Sequence, residues 1–137
     1  MKTARIKFLN LMDIEGKVSP HQLQVKGSLK QRAPALEMVK DVAQLADYIG
    51  GMVVNLSIGE DWAVRKEIYP EVCIYFVFNK GDGEFPAALR ALYAGEKINL
   101  VRGEELVSLT VSCANQMLRY VRETFPDVKL PTVCYKI

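Results

Sequence analysis

The fold is decided by the stretch Val72-Cys73-Ile74-Tyr75-Phe76-Val77-Phe78, the most apolar run in the chain. Its branched and aromatic residues leave no polar side, which is typical of a β-strand that is covered on both faces. Pro70 precedes it, and the polar residues 79–83, which include two glycines, predict a tight turn directly after it. We therefore expect this strand at the centre of a sheet and the turn at the rim, where solvent or a ligand can reach it.

Alternating apolar and polar residues, the pattern of half-buried strands, recur along the rest of the chain. Residues 13–16 predict a turn, and residues 17–32 are ambiguous between helix and strand, with a hairpin favoured. The segment 85–93 contains helix-forming residues but is short enough to be a strand, and both interpretations stay open. Further strands are predicted at residues 3–9, at 52–58, from Trp62 onward, at 97–101 and at 133–137.

Two segments have the apolar spacing of three and four residues that marks the buried face of a helix. The first runs from Pro34 to Ile49, and Gly50-Gly51 ends it because glycine readily adopts the left-handed conformation that follows a helix. The second, residues 104–123, is the longest, with glutamates at its start and arginines near its end, as the helix dipole favours. The pattern predicts an α+β fold in which an antiparallel or mixed sheet packs against two main helices, within one domain spanning residues 1–137.

The composition excludes several classes of protein. The chain has 137 residues, of which 50% are hydrophobic and 25% charged, so it has enough apolar surface to fold and resembles neither a disordered chain nor a coiled-coil rod. Charges near the start and the shortness of the apolar runs predict neither a signal peptide nor a membrane-spanning helix. We therefore expect a cytoplasmic protein.

The sequence lacks the motifs of common enzymes. Cys73, Cys113 and Cys134 are too far apart to form a Cys-x-x-Cys metal site, and we expect them to be buried apolar residues. His21 is the single histidine, and no serine or cysteine motif accompanies it. Residues 81–86 have proline where a dinucleotide-binding loop needs its last glycine. These features favour a nonenzymatic role.

Four carboxylates form the acidic group that is the strongest candidate for a site. Asp82 and Glu84 lie in the predicted turn after the central strand, and Glu60 and Asp61 lie in another turn that would meet it if both occupy one end of the sheet. Hard cations such as magnesium or calcium bind clustered oxygen ligands, so the four are candidate metal or ligand-binding residues. The alternative is structural, with Asp82 shaping the turn and Glu84 interacting with the start of the next element.

Aromatic residues concentrate in the middle third of the chain, and most are expected in the core. Because side chains alternate along a strand, Tyr75 is expected on the opposite face from Phe76. An aromatic sheet face left open would form an apolar pocket or a dimer surface. The candidate residues for such a pocket are Trp62, Tyr75 and Tyr93.

Charge is distributed unevenly along the chain. Residues 1–40 contain eight Lys and Arg against three Asp and Glu, whereas residues 41–137 contain ten against thirteen. A basic edge of this kind can meet phosphates, an acidic partner protein or the acidic half of a second copy, or it can simply keep the chain solvated. Few aromatic residues accompany the basic ones, which disfavours nucleic acid as a partner. The basic residues concerned are Arg5, Lys7, Lys17, Lys26, Lys30, Arg32 and Lys40.

Several short motifs follow one another between residues 50 and 123: Gly50-Gly51, Glu60-Asp61, Tyr69-Pro70-Glu71-Val72, Gly-Asp-Gly-Glu-Phe-Pro at 81–86, and Leu92-Tyr93. This order resembles an uncharacterised domain family of anaerobic bacteria and archaea, whose members sometimes occur beside iron-sulfur or corrinoid modules. Gly83 stands where that family usually has a second consecutive acidic residue, and no cysteine cluster precedes the region. The resemblance implies a setting in redox metabolism and an accessory or nonenzymatic role, with no established activity or cofactor.

Three hypotheses about function follow from the sequence. The preferred one is a small intracellular module that binds a partner protein or a small molecule and catalyses nothing by itself. The first alternative is a metal-dependent enzyme that uses the acidic turn at residues 82–84. The second is nucleic-acid binding through the basic residues of 1–40, and a homo-oligomer is compatible with all three.

Overall fold

The computed structural model describes residues 6–137 and is an α+β fold. Its four strands form one antiparallel sheet in the order β1-β2-β3-β4, so each strand pairs with its neighbour in the sequence. The helices are α1 (Leu11–Glu15), α2 (His21–Leu36), α3 (Val42–Ile49) and α4 (Gly103–Thr124), and the strands are β1 (Met52–Val54), β2 (Trp62–Tyr69), β3 (Val72–Asn79) and β4 (Ala88–Ala94).

The apolar run that predicted a central strand forms β3, which lies between β2 and β4. Residues 72–78 are each at most 5% exposed, so the expectation of a strand covered on both faces is confirmed. Ile74, Phe76 and Phe78 join the main core with the helices. Cys73 and Tyr75 point the other way and belong to a smaller cluster, where the Phe8 ring meets the Tyr75 ring edge-on at 4.9 Å between centroids.

The longest predicted helix is also confirmed. Helix α4 spans Gly103–Thr124 and buries a stripe that includes Leu106, Cys113 and Met117 against the sheet and the other helices. The predicted stop after the preceding helix is present as well, because Gly50 ends α3 in the left-handed conformation at φ 72°. Of the two predicted helices, residues 104–123 therefore correspond to α4, whereas residues 34–49 correspond to the end of α2 and to α3.

The hairpin predicted for residues 17–32 is wrong, because this segment forms most of α2. Val25 and Leu29 lie four residues apart and are fully buried, which is the spacing of one helix face. The turn predicted at 13–16 falls largely in α1, whose first residue follows the capping residue Asn10. Low apolar contrast between its faces concealed α2, and α1 is only five residues long.

The single helix predicted from Pro34 to Ile49 is instead divided in two. Pro34 lies inside the last turn of α2 and does not start a helix. A new helix, α3, begins at Val42 because the Asp41 carboxylate accepts a hydrogen bond from the Gln44 N–H at 3.0 Å. The break between them falls at residues 37–41.

Several predicted strands differ in the structure. Residues 97–101 and 133–137 contain short 3-10 helices at Ile98–Leu100 and Thr132–Tyr135 instead. The strand predicted at 52–58 ends at Val54, since the Glu60 carboxylate accepts N–H bonds from the following loop. Residues 3–5 lie outside the described part of the chain, and Leu9 makes one isolated bridge to Tyr93. The ambiguous segment 85–93 supplies β4.

Tyr93 connects β4 to α4 in the core. Its side chain is fully buried, and its hydroxyl lies 2.7 Å from the Thr110 Oγ1. Thr110 Oγ1 donates its single proton to the Leu106 carbonyl at 2.6 Å. In the bond between the two side chains, the Tyr93 hydroxyl is therefore the donor and Thr110 Oγ1 the acceptor. Burial raises the pKa of Tyr93 to about 12.

We expect Thr110→Val to lower the free energy of unfolding by about 2 kcal/mol, because it leaves a buried tyrosine hydroxyl without an acceptor. Tyr93→Phe should cost only about 1 kcal/mol, since Thr110 keeps its bond to the Leu106 carbonyl. Urea denaturation of both variants measures the difference. Equal losses, or a larger loss in Tyr93→Phe, would contradict the donor assignment.

The raised pKa of Tyr93 also predicts a pH dependence. In the folded protein this hydroxyl stays protonated up to pH about 12, whereas in the unfolded chain it ionises near its ordinary value of 10. Its contribution to stability is therefore complete below pH 10 and is lost between pH 10 and 12. Comparing the alkaline stability of the wild type with that of Tyr93→Phe checks this, and the variant should lose less stability over that interval.

Candidate functional site

A groove of about 280 Å³ lies between helix α2 and strand β4. Its helix side is formed by one face of α2, on which the residues follow the i, i+3, i+4, i+7 spacing. Val25 and Leu29 make its apolar floor. The residues that line the groove are Asn10, Gln22, Val25, Lys26, Leu29, Leu89, Arg90, Ala91 and Leu92.

The strand side of the groove is the edge of β4 that faces away from β3, where Leu89 and Ala91 are 5% and 7% exposed. Tyr93 uses both backbone groups to pair with Leu9, accepting at 2.8 Å and donating at 2.7 Å, so they point away from β3. In a regular antiparallel strand these outward groups recur at every second residue, and the β3–β4 register runs without interruption. The N–H and C=O groups of Leu89 and Ala91 therefore also point outward, and neither residue has a hydrogen-bond partner at that edge within residues 6–137.

Hydrogen bonds fix one end of the groove. The Gln22 Oε1 atom accepts a hydrogen bond from the Leu11 N–H at 2.9 Å, which joins α2 to the start of α1. Asn10 and Asp13 cap α1 reciprocally, each side chain accepting from the backbone N–H of the other at 2.9 Å. The chain thus turns away from the β4 edge at residue 11, immediately after the Leu9 bridge, and leaves the edge beyond it uncovered by this segment.

Charge at the groove has one sign. Lys26 and Arg90 are exposed and line it, and the lining contains no carboxylate. Neither cation forms an ion pair among the described residues. Among the residues that line the groove, the sequence singles out Lys26, as one of the basic residues of 1–40. It predicts none of the others as site residues. The usable signal was the absence of Asp and Glu from residues 16–36.

The predicted acidic residues Asp82 and Glu84 lie exposed in the loop before β4. The Asp82 carboxylate accepts hydrogen bonds from the N–H groups of Glu84 and Phe85, both at 2.7 Å. These bonds lower its pKa, the one from Phe85 most. Asp82 therefore shapes the turn, as the structural alternative expected.

The other two predicted carboxylates also bind their own backbone. Glu60 accepts from the N–H groups of Leu56 at 2.6 Å and Ile58 at 2.9 Å, and such bonds lower its pKa. Asp61 accepts from the Lys80 N–H at 2.6 Å, so the two turns do meet at one end of the sheet. Within residues 6–137, no three His, Cys, Asp or Glu side chains are grouped closely enough to hold a metal ion.

The three aromatic candidates do not share one surface. Trp62 stacks on Phe78 with ring centroids 4.9 Å apart and, like Tyr93, belongs to the main core on the helix side of the sheet. Tyr75 lies on the opposite face. A shallow cavity of about 330 Å³ reaches Tyr75, but Trp62 and Tyr93 do not line it. A pocket formed by all three is therefore absent from the described part of the chain.

The side chain of the single histidine contacts a carboxylate at the end of α1. His21 Nδ1 lies 2.7 Å from the Glu15 Oε1, and the Ser19 hydroxyl donates to the same oxygen at 2.7 Å. The Glu15 carboxylate rests against Gly103 at the start of α4, where a Cβ atom would overlap it. The hydrogen bond from Ser19, then that from His21, lowers the pKa of Glu15. Ser19 and His21 thus both contact the Glu15 carboxylate and do not form a pair of nucleophile and general base.

The three cysteines are buried and free, as expected. Burial raises the pKa of each thiol, and a raised pKa disfavours the nucleophilic thiolate. Of the predicted basic edge, Arg5 lies outside the described residues. Arg32 is half-buried and donates to Asn115 and to the Ser28 carbonyl, while the other five lysines are exposed.

No protein-family model, curated protein or solved structure is significantly similar to the chain. Among the helices of residues 6–137, none combines the length and the apolar character needed to cross a membrane. The resemblance to the anaerobic domain family therefore stays a prediction.

The role of Asp82 predicts a particular titration. The amide protons of Glu84 and Phe85 should follow the ionisation of Asp82, with a midpoint below the ordinary value of 3.8. Because the folded pKa is lowered, the contribution of these bonds to stability is present above the unfolded pKa and is lost as the pH falls through the folded one. Two-dimensional NMR across pH 2 to 6 measures the midpoint. A midpoint at or above 3.8 would show that the carboxylate does not hold the turn.

Proposed function

We propose that this protein is a nonenzymatic module that binds an extended segment of a partner protein as an additional strand on the edge of β4. The observation that carries the proposal is the pair of residues Leu89 and Ala91, whose outward backbone groups lie in the groove beside α2 without partners among residues 6–137. An unpaired strand edge is a template for another chain. Adding a strand to such an edge is a recurrent way of recognising peptides.

The orientation of the added strand follows from Leu9. Leu9 pairs antiparallel with Tyr93, and all three pairings within the sheet are antiparallel too. A segment that continues the line of Leu9 along Ala91 and Leu89 would therefore run antiparallel to β4. Two residues with one donor and one acceptor each offer four main-chain hydrogen bonds, which contribute about 0.5–1.5 kcal/mol apiece.

Side chains of the added strand would alternate between two surroundings. One set faces α2, on the side where the apolar residues Val25, Leu29 and Ala91 line the groove. The other set faces the opposite side of the sheet, next to Arg90 and Leu92. Main-chain bonds would supply a sequence-independent part of the affinity, and these two surroundings would supply specificity.

Hydrogen exchange tests the proposal on the whole chain. A library of random seven-residue peptides displayed on phage is selected against the protein, and an enriched peptide is synthesised. We expect this peptide to slow amide exchange at Leu89 and Ala91 at least tenfold. Tyr93, whose N–H is already bonded to Leu9, is the internal control and should change little.

N-methylation of the enriched peptide, one residue at a time, provides the second measurement. Methylation should weaken binding strongly at alternate residues, whose N–H groups face β4, and weakly at the residues between them. Failure to enrich any peptide would contradict the proposal. So would enriched peptides that leave exchange at Leu89 and Ala91 unchanged, or that tolerate N-methylation at every position.

A further inference from the structure

The two elements that form the groove contain cations but no carboxylates. Helix α2 and the loop before it, residues 16–36, contain Lys17, Lys26, Lys30 and Arg32 and neither Asp nor Glu. Strand β4 contains Arg90 as its one charged residue. Such a surface attracts negative charge and repels positive charge.

Of these cations, Lys26 and Arg90 are the ones available to a bound segment. Arg32 is occupied, since its Nε donates to the Asn115 Oδ1 at 2.8 Å and its Nη1 to the Ser28 carbonyl at 2.9 Å. Lys26 and Arg90 are exposed and line the groove. Asn10, at one end of the groove, contacts a carboxylate, that of Asp13. This carboxylate already accepts a hydrogen bond from the Asn10 N–H.

The two cations lie on opposite sides of the edge. Lys26 stands on α2, which covers the face of β4 that carries Leu89 and Ala91. Arg90 comes between those two residues in the strand, so its side chain points to the other face. A strand added at this edge would therefore pass between a cation above the sheet and a cation below it.

We infer that the segment bound at the β4 edge is acidic, with apolar side chains toward α2 and carboxylates at alternate positions toward Arg90; this inference rests on the proposed function. Lys26 adds a second positive charge on the helix side and so favours a negative segment further. A lysine-rich segment would place like charges beside both cations, which costs affinity.

The groove fits a peptide better than a nucleic acid. Its strand edge offers N–H and C=O groups in alternation, which is the pattern that another polypeptide backbone complements. Single-stranded nucleic acids are bound on aromatic platforms, whereas the residues lining this groove include no aromatic side chain. Nucleic acid is accordingly an outcome that the test must distinguish.

The test uses three synthetic seven-residue peptides with blocked ends and a fluorescent label. They alternate valine with glutamate, with threonine or with lysine, and binding to the full chain is measured by fluorescence anisotropy. At low salt we expect the glutamate peptide to bind about tenfold more tightly than the threonine peptide, because its carboxylates lie beside Arg90 and are attracted at longer range by Lys26. The lysine peptide should bind most weakly, and added salt should narrow all the differences.

Variants identify the cations responsible. The double substitution Lys26→Gln with Arg90→Gln should remove most of the preference for glutamate, while Lys30→Gln, on the same helix but outside the groove lining, is the matched control and should leave it unchanged. Lys26→Glu with Arg90→Glu should reverse the preference in favour of the lysine peptide. Circular dichroism and amide exchange at Tyr93 check that each variant keeps the fold.

The outcomes separate this inference from the proposed function. If the threonine peptide binds as tightly as the glutamate peptide and protects Leu89 and Ala91 from exchange, the strand site stands and its acidic preference is wrong. If none of the three peptides protects those residues, the acidic inference is overturned, and the library selection decides the strand site. If single-stranded oligothymidylate binds through Lys26 and Arg90 while the peptides do not, the groove is a nucleic-acid site and both proposals fail.

Discussion

The uninterrupted pairing of β4 with β3 determines which backbone groups of β4 point away from β3. Tyr93 points its N–H and C=O outward to Leu9, so the alternation of the strand also turns those of Leu89 and Ala91 outward. In the same register the Tyr93 side chain points into the core, where its hydroxyl contacts Thr110. The candidate site and the anchoring of α4 thus depend on one register, and a shift of a single residue would move both.

The contrast between the acidic turns and the β4 edge explains why one is a better site than the other. The carboxylates of Asp82, Glu60 and Asp61 all accept hydrogen bonds from backbone N–H groups, so their chemistry is used in holding loops. The outward groups of Leu89 and Ala91 have no such partner within residues 6–137. Groups already bonded inside a protein contribute little to a ligand, whereas an unpaired backbone edge gains the net free energy of each new bond on binding.

Sequence patterns predicted the buried parts of the fold better than the exposed ones. The all-apolar β3 and the amphipathic α4 were predicted correctly because burial demands a pattern that few other structures tolerate. Helix α2 was missed because its faces differ little in apolar character and the apolar residue Leu23 is exposed. The short strand β4 stayed ambiguous because alanine, leucine and arginine favour helices, and only pairing with β3 imposes the extended form. The groove could not be predicted, since it arises where those two elements meet.

The charge of the β4 edge also bears on what it does not bind. A free strand edge is able to pair with the same edge of a second copy, and a centrally placed charge is a common protection against this. Two copies of β4 paired antiparallel around residue 90 would bring their Arg90 side chains together, with Lys26 of each copy close by. Like charges at that position disfavour self-association and favour an acidic segment, so the same two cations would both exclude a second copy and select the partner.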